Sequence, residues 1–447
     1  MSSSLEESAE HREILEWAVE GQGSALIQAV AGSGKTTTLL TTMQSIVQSR
    51  VCQSSEILFL AYNKNVVTEC ESKLASFSLQ KMQVRTFHAF GLNLVKKQLG
   101  RSLFIAQKAG GNAPKSNIKR LKKTAIVERL CEEHSWDKKH TANLTTLTCM
   151  CQDEGLHPQD LLDKFFVENE GKRPAFTERF YSLERTFKMS MEEMIPRVQL
   201  ILQACYDDEK IDFEDMTWLP AVHTDIDLYC KTKWIVIDEG QDINPSRLQL
   251  IKRLREDNPE ARFLVAGDDD QSIFGWQAGA CNSLRLIQEV LEIPTESIYS
   301  LLGCRRCPIS HIELAATLLD RPITTDREED GEIHFADYDD LLESIRNAAK
   351  APAPETLPPG TKRFLVLCRK NKPIAKLAYQ LVREGIPAHI IGENKLHEML
   401  LQLLKDWEAQ MEDFPTFIDL EKNKNCKKLT TTTTLTIELL SLENTTI

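Results

Sequence analysis

No stretch of this sequence is apolar for the ~20 consecutive residues that a membrane-spanning helix needs. The first residues, Met1 to Glu7, are polar and acidic and lack the basic and apolar regions of a secretory signal peptide. Both absences argue against secretion and membrane insertion, so we expect an intracellular protein without a membrane partner. We therefore expect most of its 12 cysteines to be reduced.

An excess of positive charge is also missing, because the formal net charge is −12. This balance argues against a surface coated uniformly with basic residues, but it permits a local basic track for nucleic acid. One candidate segment runs from Val95 to His140 and contains 12 Lys or Arg residues and four acidic residues. Two interpretations of this segment stay open, a solvated helix face and a track for a phosphate backbone.

What the sequence does contain is a phosphate-loop pattern that ends in Gly34-Lys35-Thr36. The pattern is G-x-x-x-x-G-K-[ST], and this chain has Ala29 in place of the first Gly. The residues before it predict a buried strand and those after it a helix, which is the context the pattern needs. The alternative is a glycine turn that only caps a helix.

A phosphate loop of this kind binds phosphate with backbone N–H groups at a helix N-terminus. We expect Lys35 to contact the β- and γ-phosphates of a nucleotide and the Thr36 hydroxyl to ligate Mg²⁺. The candidate nucleotide-binding residues of the loop are Ala29, Ala31, Gly32, Ser33, Gly34, Lys35, Thr36 and Thr37.

Two acidic or polar groups follow later strands of the predicted sheet. Asp238 and Glu239 come directly after the apolar run 234–237, where Asp238 could hold the metal and Glu239 could polarise an attacking water. Gln271 follows the run 263–267 and could sense the γ-phosphate. Nearby, Phe274 and Trp276 could stack on bases, although two aromatic residues are more often part of a core.

The motifs, taken in order, resemble the ATP-binding region of a UvrD/Rep/PcrA-like superfamily 1 helicase. The matching stretches are residues 29–36, 61–64, 86–91, 212–216, 238–242, 267–276, 305–308, 368–371 and 385–387. The resemblance implies an α/β fold, in which a RecA-like P-loop domain with a parallel sheet carries a helical insertion and precedes a second, incomplete RecA-like domain. On this basis we expect the first domain at 1–95 and 196–296, the insertion at 96–195, a partial second domain at 297–392 and an irregular or poorly ordered tail at 393–447.

The same resemblance implies ATP hydrolysis with Mg²⁺, coupled to 3′-to-5′ movement on single-stranded or partly duplex DNA. The expected catalytic residues are Lys35, Glu239, Gln271 and Arg306, the last as an arginine finger from the second domain, and the expected metal ligands are Thr36 and Asp238. The resemblance further implies that DNA is contacted by Tyr62, Asn63, Thr86, His88, Phe274 and Trp276.

The chain also departs from this family. His11 stands where the family has a Gln that reads adenine, so adenine selectivity does not follow from the resemblance. The later motifs of the family, including one with a second arginine finger, are not found after Gly392. We therefore expect a truncated or frame-shifted chain, and a remnant that binds ATP and DNA without productive unwinding is the alternative. Cys304-x-x-Cys307 with His311 lacks a fourth ligand for zinc, so we expect no zinc there.

Overall fold

The computed structural model describes residues 8–103, 115–161, 184, 187–272, 282–350, 364–368, 371–386, 388–391 and 437–441. The chain divides into two compact units, Met1–Glu332 and Ile333–Ile447. In the part of the chain that the structure describes, no helix is both long and apolar enough to cross a membrane.

The strands of the first unit form a large and a small parallel sheet. They are β1 (Ala25–Ala29), β2 (Ile57–Ala61), β3 (Gln83–Thr86), β4 (Ser102–Leu103), β5 (Lys210–Ile211), β6 (Trp234–Ile237), β7 (Arg262–Gly267) and β8 (Ile298–Leu301). The large sheet has the order β3-β2-β6-β7-β1-β8, and β4 pairs with β5. In the register, Leu26 of β1 lies between Val265 and Ile298.

Helices follow most of these strands. They are α1 (Ala9–Glu20), α2 (Lys35–Gln48), α3 (Lys64–Lys73), α4 (Phe87–Leu99), α5 (Lys115–Glu133), α6 (Thr141–Asp153), α7 (Met191–Asp207), α8 (Asp215–Val222), α9 (Pro245–Asp257), α10 (Ser283–Val290) and α11 (Ile309–Leu319). This alternation of strands and helices around a parallel sheet confirms the α/β, RecA-like fold expected from the sequence.

Two apolar cores cover opposite faces of the large sheet. Leu58 and Leu60 of β2 belong to one core, whereas Ile57, Phe59 and Ala61 of the same strand belong to the other. Because successive side chains of a strand point to opposite faces, β2 is covered on both sides. A strand in this position reads as a continuous apolar run, which explains its clear signal in the sequence.

The helical insertion shares a core with one face of the sheet. Phe87 of α4 packs in the same core as Leu147 of α6 and Val198 of α7. On the other face, Ile14 of α1 and Leu39 of α2 pack together with the phosphate-loop strand. The insertion therefore rests on the sheet instead of forming a separate core.

The edge strand β8 lies beside β1 in the large sheet. The predicted boundary at residues 296 and 297 falls just before this strand, whereas the first compact unit continues to Glu332. Residues 298–301 therefore belong with the first sheet, which brings the segment that follows them close to the phosphate loop.

The second unit contains α12 (Tyr338–Lys350), β9 (Phe364–Cys368), α13 (Asn371–Arg383), β10 (Ala388–Ile391) and β11 (Ile437–Ser441). Its three strands are parallel in the order β10-β11-β9. The strand β11 lies within the tail 393–447, which the sequence predicts to be irregular or poorly ordered. The short apolar run of β11 becomes a strand because it pairs with a neighbour on each side, and local sequence does not reveal such pairing.

Candidate active site

The phosphate loop connects β1 to α2 at the carboxyl edge of the sheet. β1 ends at Ala29, and α2 begins at Lys35 after Gly34, which caps the helix in the left-handed conformation (φ 89°). Gly32 is also left-handed (φ 75°), a conformation that costs free energy for any residue with a Cβ. Strand, loop and helix therefore have the arrangement that the sequence pattern requires.

Ser33 gives this loop an unfilled hydrogen-bonding group. Its side chain is buried, and its hydroxyl has no hydrogen-bond partner among the described residues. A buried polar group without a partner costs about 1–3 kcal/mol, so a phosphate oxygen fits here as the missing acceptor. Of the other predicted loop residues, Ala31 is exposed and Thr37 is half-buried in the first turn of α2.

The two predicted metal ligands contact each other. Thr36 donates a 2.7 Å hydrogen bond from Oγ1 to Oδ2 of Asp238, which follows β6 and is fully buried. Burial, and after it the neighbouring Glu239 carboxylate, raise the pKa of Asp238 to about 6. A hydroxyl and a carboxylate are oxygen donors of the kind that Mg²⁺ binds, usually together with substrate phosphates. The residues present therefore fit a magnesium ion.

Glu239 has an unusual backbone and faces the loop lysine. It is left-handed (φ 56°), and such strain in a residue other than glycine is often found at functional sites. Its Oε2 lies 4.0 Å from Lys35 Nζ and accepts a 2.7 Å hydrogen bond from Gln241 Nε2. The strained turn thus directs a carboxylate toward the phosphate loop.

Gln271 is tied to the loop that follows β7. Its Nε2 donates a 2.6 Å hydrogen bond to Oδ2 of Asp268, and the Asp268 N–H donates to Gln241 Oε1 at 3.0 Å. The guanidinium of Arg321 pairs with both Asp268 and Asp270. Sequence reasoning missed Arg321, because it lies outside every motif and reaches these carboxylates only through the fold.

The segment after β8 packs against the phosphate loop. The Arg305 N–H donates to the Gly32 carbonyl at 2.9 Å, and a Cβ added to Gly32 would lie 2.9 Å from the Cβ of Arg306. The exposed Arg306 belongs to the first compact unit together with the loop, whereas we had expected it in the second domain. Its role as an arginine finger stays a prediction.

His11 lies beside the first turns of α2. Its Nδ1 pairs with Ser8 Oγ at 2.7 Å and its Nε2 with Thr38 Oγ1 at 3.0 Å. Both ring nitrogens are therefore engaged within the chain. This residue is next to the nucleotide loop, as expected, and its contact with an adenine stays a prediction.

The first pair of predicted DNA contacts follows β2. Tyr62 is nearly buried, and the guanidinium carbon of Arg247 lies 4.7 Å from the centre of its ring. Burial raises the pKa of Tyr62. Asn63 caps α3 by accepting a 3.0 Å hydrogen bond from Val66 N–H. Its side chain therefore stabilises the start of this helix.

The second pair lies at the end of β3 and in the first turn of α4. Thr86 caps α4 by accepting a 3.1 Å hydrogen bond from Ala89 N–H. The ring of His88 stacks on the ring of Phe213, with 3.8 Å between the ring centres. Since β3 and β2 are adjacent parallel strands, both predicted pairs lie at the same edge of the sheet as the phosphate loop. Phe274 and Trp276 lie outside the described residues.

Two members of the basic segment are not at the surface. Lys122 Nζ lies 2.7 Å from Asp215 Oδ2, Lys123 Nζ lies 2.6 Å from Asp212 Oδ2, and both lysines are buried. Burial opposes their charge, but the facing carboxylates outweigh it and raise the pKa of both lysines. The suggestion that these two lysines contact a phosphate backbone is therefore wrong. They bind α5 to the first residue of α8 and to the segment before it.

The comparisons with known proteins point to one helicase family. The UvrD/REP helicase N-terminal domain matches residues 10–290. The ATP-dependent DNA helicase Rep of Buchnera aphidicola subsp. Schizaphis graminum is 24% identical over 285 residues, which are 60% of this chain and 38% of that protein. Rep of Escherichia coli K12 is 23% identical over 277 residues, 60% of this chain and 37% of that protein.

A third relative reaches further along the chain. The ATP-dependent DNA helicase PcrA of Leuconostoc citreum is 20% identical over 404 residues, which are 84% of this chain and 49% of that protein. The chain thus spans between one third and one half of the length of these relatives. Since the matching domain covers residues 10–290, well over half of the sequence, the chain belongs to the UvrD/REP helicase family.

Proposed function

We propose that this chain hydrolyses ATP with Mg²⁺ and couples the hydrolysis to movement along single-stranded DNA, in the 3′-to-5′ direction that the family resemblance implies. The strongest support is that Lys35, Thr36, Asp238 and Glu239 meet in one site, although they come from two distant segments. The relatives named above are ATP-dependent DNA helicases by name.

Binding of the nucleotide falls to the phosphate loop. Its backbone N–H groups and the buried Ser33 hydroxyl donate to phosphate oxygens, and Lys35 adds a positive charge next to them. Thr36 and Asp238 would hold Mg²⁺, which neutralises phosphate charge when it is bound. By the family resemblance, His11 takes the position of the Gln that reads adenine, and its use as a base contact is part of the proposal.

Hydrolysis requires a group that orients and deprotonates a water, and Glu239 is the candidate. Its carboxylate faces the loop lysine and is held by Gln241, so its position is fixed by the fold. A general base positioned in this way typically contributes about 10²–10⁴-fold to the rate. Arg306, next to Gly32, would stabilise the negative charge that develops on the transferred phosphoryl group.

The link to DNA runs through residues at the same sheet edge. Gln271 is hydrogen-bonded to Asp268. Asp268 is hydrogen-bonded in turn to Gln241, which is hydrogen-bonded to Glu239. If Gln271 left Asp268 to contact a γ-phosphate, the loops that follow β6 and β7 would change together, because these hydrogen bonds connect them. Tyr62 and His88, which follow neighbouring strands, are the proposed contacts for single-stranded DNA.

The test is ATP hydrolysis by the purified chain with and without single-stranded DNA, for the wild type and for Lys35→Ala. We expect turnover that DNA increases, and a loss of at least about 100-fold in the variant, as is typical when one group that stabilises transition-state charge is removed. Equal turnover by Lys35→Ala would overturn the site assignment. Nucleotide and DNA binding without turnover in either condition would overturn the catalytic proposal and favour a chain that only binds.

A further inference from the structure

The bend that follows β8 contains two neighbouring thiols. Cys304 is buried and Cys307 is half-buried, and the two lie three residues apart in the same bend. Both pack in a small apolar cluster with Val30 of the phosphate loop. This pair is not part of the proposed catalytic site, and nothing in the proposed mechanism uses it.

Several hydrogen bonds tie this bend to its surroundings. The Cys304 N–H donates to the Thr324 carbonyl at 2.8 Å, and the Arg305 N–H donates to the Gly32 carbonyl at 2.9 Å. Arg327 Nη1 donates to the Arg306 carbonyl at 2.8 Å. A change in the conformation of the bend should therefore also move the phosphate loop, because a backbone hydrogen bond joins the two.

The sulfur of Cys304 lies directly against that loop. A Cβ added to Gly32 would lie 2.9 Å from Cys304 Sγ, closer than real Cβ atoms approach other atoms. The loop backbone and this sulfur thus fit together without spare space. Because the sulfur fills this space, a change in its position on bonding to Cys307 would alter the packing against Gly32 and the bend that carries Arg306.

We propose that Cys304 and Cys307 are a modification site, at which a hydroperoxide forms a reversible disulfide that weakens nucleotide binding by the phosphate loop. The formation of this disulfide does not depend on the proposed function, whereas its effect on nucleotide binding rests on that function. Disulfides in reducing compartments are typically transient and redox-sensing, which fits a pair next to a ligand site.

The chemistry takes two steps. The half-buried Cys307 thiolate attacks the peroxide, so that an S–O bond forms, the O–O bond breaks and the leaving oxygen takes up a proton as water (or as an alcohol from an organic hydroperoxide). Cys304 then attacks the Cys307 sulfur, the S–S bond forms, and the second oxygen leaves as water with the remaining proton. Two thiols lose two electrons and the peroxide gains them.

The surroundings set the pH dependence of the first step. Burial, and after it the Cys304 thiol, raise the pKa of Cys307, while Arg306 and Arg327 act in the opposite direction. Because the thiolate is the nucleophile, oxidation should be slow at neutral pH and faster as the pH rises. A dithiol reagent such as dithiothreitol should reverse it.

The experiment treats the full reduced chain with hydrogen peroxide, blocks the remaining thiols with an alkylating reagent and maps the peptides by mass spectrometry. Binding of a fluorescent ATP analogue is measured before oxidation, after it and after dithiothreitol. We expect the loss of two hydrogens in the peptide that contains the pair, with about tenfold weaker binding, within the range usual for coupled sites. The reducing agent should restore the binding.

Two variants make the test specific. Cys307→Ser removes the proposed partner and should bind the analogue as the reduced wild type does, before and after peroxide. Cys230→Ser removes another half-buried cysteine and should respond to peroxide as the wild type does. By reciprocity, bound nucleotide should shift the equilibrium between the dithiol and the disulfide toward the reduced form in the wild type.

The outcomes separate this inference from the proposed function. A chain that binds the analogue when reduced but forms no Cys304–Cys307 disulfide overturns the modification site alone. A disulfide at the pair that leaves binding unchanged overturns its coupling to the loop. A reduced chain that binds no analogue overturns the proposed function, and peptide mapping then still decides whether the disulfide forms.

Discussion

The hydroxyl of Thr36 donates a 2.7 Å hydrogen bond to the carboxylate of Asp238, across 202 residues of sequence. The two residues follow β1 and β6, which are separated in the sheet by β7 alone. Because the strands are parallel, the loops after them meet at one edge of the sheet. This contact joins the phosphate loop to the carboxylates that follow β6 in the candidate site.

Glu239→Gln should lower ATP turnover by about 10²–10⁴-fold and leave ATP binding nearly unchanged. The amide keeps the size of the side chain but cannot take a proton from water. Steady-state hydrolysis and titration with a fluorescent ATP analogue measure the two effects. The exposed Glu71→Gln in α3 is the control. Turnover that falls equally in both variants would contradict a role for Glu239 as the base.

Gly32→Ala should weaken nucleotide binding. The loss should exceed what the left-handed backbone of this position alone would cause in alanine. The new Cβ would lie 2.9 Å from Cys304 Sγ and from the Cβ of Arg306. Gly23→Ala is a matched control, since Gly23 has nearly the same φ (73°) but its Cβ would meet nothing within 4 Å. Analogue binding and thermal unfolding of both variants separate the two contributions. A similar loss of binding in both would mean that the contacts with the bend are unimportant.

Lys123→Met should reduce the free energy of unfolding by about 3–5 kcal/mol, because it leaves buried carboxylates without their partner. Lys123 pairs with Asp212 and Glu214. The control is Lys138→Met, whose exposed pair with Glu132 should contribute little to the free energy of unfolding. Urea unfolding measures both. Adding Asp212→Leu to the first variant should recover part of the loss, and no recovery would argue against an unpaired charge as the cause.

Asp242→Asn should stabilise the fold above neutral pH. Burial, and after it Glu239, raise the pKa of Asp242 from 3.8 to about 7, so ionisation is less favourable in the folded chain than in the unfolded chain. The wild-type free energy of unfolding should therefore include a contribution that falls as the pH rises between these two values. Each pKa unit corresponds to about 1.4 kcal/mol, so the gain should be a few kcal/mol at most.

Urea unfolding at several pH values checks this prediction. The variant should lose the part of the pH dependence that lies between pH 3.8 and about 7. The exposed Asp326→Asn is the control and should follow the wild type. A pH profile of Asp242→Asn that matches the wild type would show that the carboxyl is not destabilised by burial.

The sequence by itself determined the elements and motifs that depend on local pattern. Apolar runs in the sequence predicted the buried strands, because strands of a parallel sheet that is covered on both faces show no alternation of polar and apolar residues. The phosphate loop was recognisable because its glycines and the following Lys35 and Thr36 are set by the backbone that surrounds a phosphate. These features need no knowledge of distant residues.

Only the tertiary structure decided how distant groups combine. Lys122 and Lys123 looked like part of a surface track, yet the fold buries them against Asp215 and Asp212. Arg321 lies outside every motif and still pairs with Asp268 next to Gln271. Charge and hydropathy describe a side chain, whereas burial and partners depend on which loops the parallel strands bring to the same edge.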